Sequence, residues 1–362
     1  MNTRVDIAVI GAGSAGIAAA VSAARAGCST LLLDQRPAAG GIGGFSGLTT
    51  LCGLYDDTGN FLNNGFAREF AEAIKESDSV RMGKVFVLPY RPERFREVAT
   101  RLISATPNLR VQWNIPLSDV IAENGRITRL NGFDVGAVID CSGGAEVARA
   151  IGAETLATDE TTQAPAVVFT LRNISRGLVT AADMAQVLLP LARAGFPPLN
   201  LQASLTPGEF TAKFSGTPQQ APQLIAFLRT NVSGFENCES SVSEFTQTHR
   251  AGRMIVGQYV LTGDDVLTGR KFPDAVARCA WPIEQWNASG VARFKYLPTG
   301  THYEIPALAL RAARVENLFM AGKTISADVD AIASARVMGC CLATGTAAGN
   351  LAADYINSSR IK

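Results

Sequence analysis

A chain of 362 residues, 47% hydrophobic and 18% charged, has the length and apolar content for a substantial core built as two intertwined domains. A formal net charge of +1 and the lack of lysine or arginine runs leave no footprint for nucleic acid or an anionic membrane, so neither is expected as a partner. Seven scattered cysteines with no C-x-x-C pair read as free thiols of a reducing, cytoplasmic setting, and two histidines exclude a multi-histidine metal site.

The first element in the chain is a β-branched apolar run, Val5 to Ile10, suited to a strand covered on both faces. Gly11, Gly13 and Gly16 follow it directly. Gly11 permits a tight turn, Gly13 leaves no Cβ where a pyrophosphate must come close, and Gly16 lets the next helix pack on the strand. The free N–H groups of that helix then face phosphate. Small residues from Ala15 to Ala24 keep the helix close to the sheet, and Leu31-Leu32-Leu33 forms a second strand ending in Asp34, which can accept hydrogen bonds from an adenosine ribose. The order strand, glycine turn, helix, strand, acid points to a dinucleotide. It also uses up the apolar N-terminal run that would otherwise resemble a secretion signal, and no other stretch approaches a membrane-spanning length.

The glycine-rich segment from Gly40 to Gly53 suggests a backbone that hugs a flat ligand. Phe66 to Lys75 reads as an amphipathic helix, and Pro92 opens another that runs to Ala105. Leu109 to Leu130 alternates as a hairpin turning at Glu123-Asn124-Gly125-Arg126, and Gly136 to Glu146 is a buried strand ending in a second glycine bend. From Thr155 to Tyr303 the texture shifts toward Pro, Thr, Gln and aromatics, with a strand at Ala166 to Leu171 and a helix at Thr217 to Asn231. Leu318 to Gly322 then returns to the strand-glycine pattern, and Ala335 to Tyr355 reads as one long helix of small residues.

In this order the segments are specific. Gly11-x-Gly13-x-x-Gly16, Asp34, Gly40-Gly41, Ile139 to Gly144, Arg250 to Gly257, Asn317 to Lys323 and Arg336-Val337-Met338 together resemble the FAD-dependent oxidoreductases of the glutathione-reductase-like superfamily, near its fumarate-reductase-type branch. The resemblance implies an α/β fold: a Rossmann-like FAD-binding domain with an inserted α+β substrate domain. Residues 1–75, 106–154 and 304–362 would bind FAD, and 76–105 and 155–303 would form the insert. By the same resemblance, Gly11, Gly13, Ser14, Ala15, Gly16, Asp34, Gln35, Arg36, Gly41 and Gly43 hold the adenosine and pyrophosphate side of FAD. Leu117 meets the adenine, Ser142 and Gly143 flank the pyrophosphate, and Gly322, Arg336, Val337 and Met338 hold the ribityl and pyrimidine end. A helix starting near Arg336 would point its positive end at the flavin, where negative charge builds on reduction. Trp286 and Val329 stand where relatives tend to carry histidines.

His302, just before the return to the first texture, is a candidate catalytic base, with a surface histidine as the alternative. His249 with Arg250 and Arg253 could bind a substrate carboxylate, with an interdomain ion pair as the alternative. Cys340-Cys341 and Cys52 read as packing residues, with Cys52 as a conceivable flavin tether. The expected activity is oxidation or reduction of a small organic molecule by a flavoenzyme whose flavin is reduced by substrate and reoxidised by oxygen or another acceptor. Two alternatives stay open: a monooxygenase that admits NAD(P)H transiently, and a flavoprotein that matures a partner protein. An NAD-dependent dehydrogenase would explain only the first 36 residues.

Overall fold

The computed structural model describes residues 4–158, 163–178, 181–240, 246–287 and 289–361. Its central sheet has seven strands. Strand Arg4–Ile10 sits in the middle, flanked in parallel by Thr30–Asp34 and Phe133–Asp140, with Val9 opposite both Leu32 and Ile139. Side chains on both faces of this strand are buried, as its uninterrupted apolar run requires. Strand Leu109–Trp113 adds in parallel to Thr30–Asp34, so only Val120–Glu123 and Arg126–Leu130 form the hairpin expected across Leu109 to Leu130. Its turn places Asn124 and Gly125 at φ 51° and 75°, the left-handed pair a tight hairpin needs. Strand Phe133–Asp140 changes partners along its length: its start pairs antiparallel with Arg126–Leu130, its end parallel with Leu318–Met320.

The expected helices at 66–75, 91–105 and 217–231 are present as Phe66–Ile74, Pro92–Ser104 and Ala221–Asn231, the last preceded by a 3-10 turn at Pro218–Gln220. The expected helix from Ala335 to Tyr355 is present as Met338–Ile361, and a further short helix, Val329–Ala335, capped by the Asp328 side chain, precedes it with a bend of 96° between them. Arg336 and Val337 occupy the break, and it lets Gly339 sit against Gly53, where a Cβ would fall 2.4 Å from the Gly53 carbonyl carbon. The helix Met338–Ile361 crosses the first helix, Ser14–Arg25, backbone against backbone: a Cβ on Gly345 would lie 2.1 Å from the Ala15 carbonyl oxygen. Among the described residues no single helix is long and apolar enough to cross a membrane.

The inserted sheet runs in the order Leu199–Ala203, Phe210–Phe214, Ala166–Leu171, Thr246–Thr248, with antiparallel pairing throughout. Alternation sorts its side chains. Val167, Phe169, Leu171, Leu199, Phe210, Ala212 and Phe214 pack with Val187 and Leu191 of helix Ala181–Arg193 and Leu224, Ile225 and Leu228 of helix Ala221–Asn231, forming a separate apolar core. That core is narrower than the insert boundaries drawn from sequence. Phe95, Val98 and Ala99, from segment 76–105, share a core with Ile17 and Val21 of the first helix. Met254, Leu261, Ala277 and Ile283 pack with Ile332 and Cys340 of the two C-terminal helices.

Candidate active site

The glycine turn is fixed by contacts that only glycine allows. Gly11 has φ +96°, and a Cβ there would fall 2.6 Å from the Cys141 carbonyl oxygen; on Gly16 a Cβ would fall 1.6 Å from the Gly11 oxygen. Gly13 is different. Its φ of −79° suits any residue, and a Cβ would meet nothing nearer than Gly41 Cα at 3.9 Å. The space it leaves is cavity. Gly13 caps the twelve-residue first helix, which has no side-chain cap and no acid in its first turn, so its leading N–H groups stay available. Asp34 braces the turn, accepting from Ala12 N at 2.5 Å and Arg36 N at 2.8 Å.

Gly11, Gly13, Ser14, Ala15, Asp34, Gln35, Arg36, Gly41, Leu117, Ser142, Gly143, Gly322, Arg336, Val337 and Met338 all line one cavity of about 680 Å³. Two of the expected positions stand behind its wall: Gly16 in the helix–strand contact, and Gly43, where a Cβ would fall 2.5 Å from the Phe95 ring. The Ser142 bend hangs on buried Asp140, which accepts from Ser142 N at 3.0 Å, Ser142 Oγ at 2.7 Å and Val147 N at 3.0 Å.

The far end of the cavity is walled by the polar face of the inserted sheet and is rich in charge. Glu284 accepts from Trp281 Nε1 at 2.9 Å and Trp286 Nε1 at 2.6 Å, so both its oxygens are engaged. The Trp286 ring in turn carries two cations, Arg250 at 4.3 Å and Lys213 at 4.8 Å from its centroid. Arg336 donates through Nη2 to Gln163 Oε1 at 3.1 Å and to the Glu284 carbonyl at 3.2 Å, while its buried Nε has no partner among the described residues. Burial pushes Arg250 down to about 10, with Arg336 adding to the effect, and lowers Lys213 and Arg336 as well. Burial also draws Lys323 down to about 8; its Nζ donates to the His249 carbonyl at 3.0 Å and ties the insert loop to the strand-glycine turn at Gly322. Cys52 lines the same cavity, and burial raises its thiol to about 12, which disfavours the thiolate a flavin tether would need.

Two of the three catalytic candidates lie elsewhere. His249 lines the cavity. His302 does not: it precedes strand Tyr303–Pro306, its Nε2 is 3.9 Å from Glu304, and burial together with Lys271 lowers its pKa. Arg253 is exposed on strand Arg253–Ile255, which pairs with Thr155–Ala157, and its Nη1 reaches Thr155 Oγ1 at 3.3 Å. The residues that sequence reasoning missed as site members are Lys213, Glu284, Trp286, Gln163 and Lys323. His302→Gln and Arg253→Ala are therefore expected to leave FAD content and the visible flavin spectrum as in the wild type; a spectral shift in either variant would return that residue to the flavin's surroundings.

The sequence matches the family described as FAD dependent oxidoreductase over residues 6–190 and 192–361. The chain belongs to that family. No curated protein matches its sequence. Among solved structures, a geranylgeranyl bacteriochlorophyll reductase-like protein from Thermoplasma acidophilum is similar with a TM-score of 0.52 at 14% identity, over 98% of this chain and 79% of the other. GidA from Aquifex aeolicus aligns with a TM-score of 0.54 at 13% identity, over 98% of this chain and 64% of its own. The Diels-Alderase PyrE3 of pyrroindomycin biosynthesis aligns with a TM-score of 0.51 at 11% identity, over 97% and 66%. At these identities the likeness is one of fold.

An FAD dependent oxidoreductase must seat a doubly charged pyrophosphate, and the features described suit one. The uncapped helix presents free N–H groups, Gly13 leaves room beside them, and Lys323 is the cation next to the Gly143 bend, its Cε 3.2 Å from where a Gly143 Cβ would be.

Proposed function

We propose that this FAD dependent oxidoreductase acts on a small organic substrate held between the central sheet and the inserted sheet, with the flavin reduced by substrate and reoxidised by oxygen or another acceptor. The observation that carries the reading is one continuous cavity, which runs from the glycine turn at Gly13 to the polar insert face at Lys213 and Glu284. FAD, when bound, supplies the two-electron redox chemistry. The chain's own residues do the rest. Gly13 and the first-helix N–H groups seat the pyrophosphate, Asp34 and the Gln35-Arg36 backbone take the ribose side, and Leu117 meets the adenine. Ser142, Gly143 and Lys323 flank the phosphates, and Gly322, Arg336, Val337 and Met338 hold the ribityl and pyrimidine end. Trp281 and Trp286, pinned by Glu284, exclude water from the other side. His249 is the histidine positioned to exchange a proton with a bound molecule.

Substrate as the electron source is supported by the build of the insert, an antiparallel sheet with no strand-glycine-helix turn for a nicotinamide among the described residues. A cytoplasmic location is supported by seven unpaired cysteines. Anaerobic mixing of the holoprotein with NADH or NADPH is expected to leave the flavin oxidised over seconds. Rapid bleaching by micromolar nicotinamide would instead assign the monooxygenase class, and a stoichiometric protein captured with the native enzyme would assign the partner-maturing one.

A further inference from the structure

We propose that the insert end of the cavity is a carboxylate site, with Lys213 as its principal ligand, and that the substrate is an organic acid with an apolar or aromatic body. This rests on the reading of the cavity as the substrate chamber. Strand Phe210–Phe214 sends Phe210, Ala212 and Phe214 into the insert core and leaves Thr211 and Lys213 on the opposite face, beside Asn200 across the ladder. Lys213 is thus a lysine fixed on a sheet and pointed into a cavity, where a surface lysine would be free to seek water.

Its ammonium has three donors, and no hydrogen-bond acceptor takes any of them among the described residues; the Trp286 ring centroid lies 4.8 Å from its Nζ. The adjacent anion, Glu284, acts on Lys213 only through space: each of its oxygens accepts an indole N–H, and neither accepts a hydrogen bond from Lys213. Arg250 is turned toward the Ala164 carbonyl at 2.5 Å and Arg336 toward Gln163 and the Glu284 backbone. Three cations therefore face one carboxylate at this end, an imbalance that costs free energy until a further anion arrives. Burial lowers the pKa of Lys213, with Glu284 opposing and Arg250 and Arg336 reinforcing, as expected of an ammonium whose counterion is incomplete. Three cations against the one Glu284 carboxylate leave a net charge of +2, which a ligand carboxylate halves; phosphate offsets as much charge but brings no apolar body. The walls beside it, Trp281, Trp286, Ala292 and Phe294, suit an apolar body.

The test is titration of the FAD-loaded protein with benzoate, benzamide and inorganic phosphate, read both by calorimetry and by the visible flavin bands. Benzoate is expected to bind and to shift the flavin spectrum, with benzamide and phosphate at least tenfold weaker. Lys213→Met is expected to weaken benzoate by about 10- to 100-fold at unchanged FAD content, the size of one lost charge-assisted hydrogen bond, and Lys213→Arg to recover part of it. Benzoate bound equally by the wild type and Lys213→Met, benzamide bound as well as benzoate, or no carboxylate bound at all would overturn the proposal. Lys213-dependent heat without any flavin shift would uphold the carboxylate site and count instead against the cavity as the place where substrate meets flavin.

Discussion

Gly13→Ala is expected to give a folded protein that has lost FAD, and Gly16→Ala a protein that does not reach the native state. The two glycines lie three residues apart in one motif, and their surroundings separate their roles. At Gly13 the backbone is already that of an ordinary residue and a Cβ would enter open cavity, so the fold loses only a helix-cap preference of under about 1 kcal/mol. The methyl would occupy the space beside the first-helix N–H groups and displace an anion from two or more charge-assisted hydrogen bonds. That corresponds to about 3 kcal/mol, or roughly 100-fold in Kd for FAD. At Gly16 a Cβ 1.6 Å from the Gly11 oxygen would force the helix off the strand, at a cost of about 4 kcal/mol or more. Flavin absorbance per protein and thermal melting of the apoprotein distinguish the two. A Gly13→Ala enzyme that retains FAD at wild-type affinity would remove the glycine turn as the pyrophosphate seat.

Glu284→Ala is the second large effect, a loss of about 3–5 kcal/mol of stability, because it uncovers Lys213, Arg250 and Arg336 and frees two indole N–H groups at once. The pH dependence follows from the same contacts. Burial by itself would raise the Glu284 pKa, but Arg336, Lys213 and the two indole hydrogen bonds outweigh it and hold the value below the ordinary 4.5. A depressed folded-state pKa means that this stabilisation is complete above the unfolded-state value and is lost as pH falls through the folded one. The wild type should therefore lose Glu284-dependent stability only below about pH 4.5, and Glu284→Gln should flatten that acid limb. Melting curves of wild type and both variants across the acid range check this; Glu284→Ala melting within about 1 °C of wild type at neutral pH would sink it.

The cofactor half of the site was legible because its chemistry is local. Gly11, Gly13, Gly16 and Asp34 lie within one βαβ unit, and the spacing that makes the turn also makes the motif. The substrate half was legible only in part: His249 and Arg250 were expected at a substrate carboxylate and Arg336 at the flavin, but Gln163, Lys213 and Glu284 come from separate segments that only the antiparallel insert brings to them. A signal did exist in Phe210-Thr211-Ala212-Lys213-Phe214, where a lysine holds the polar register of an otherwise buried strand. His302 was misplaced because it was judged by its order relative to family segments, whereas its strand pairs with Ala275–Cys279, away from the cavity. The helix expected to start near Arg336 does begin at Met338; what the sequence reading left out is the short helix Val329–Ala335 that ends just before it.

The crossing of Ser14–Arg25 with Met338–Ile361 has a consequence for how the protein comes into being. The Ala15 backbone and the Gly345 position it rests on are 330 residues apart in the chain. At a synthesis rate of about 5–20 residues per second, the first helix waits on the order of 20–60 s for its neighbour to leave the ribosome. Phe95, Val98 and Ala99 can cover Ile17 and Val21 in that interval, but the Ala15 and Ala19 face waits for Gly345 and Gly349, and closing so long a loop makes that pairing a late event. The nascent chain therefore keeps that face of its first helix exposed until the last segment is made, and the complete cavity, with Gly322, Arg336 and Met338 in its wall, forms only at the end of folding.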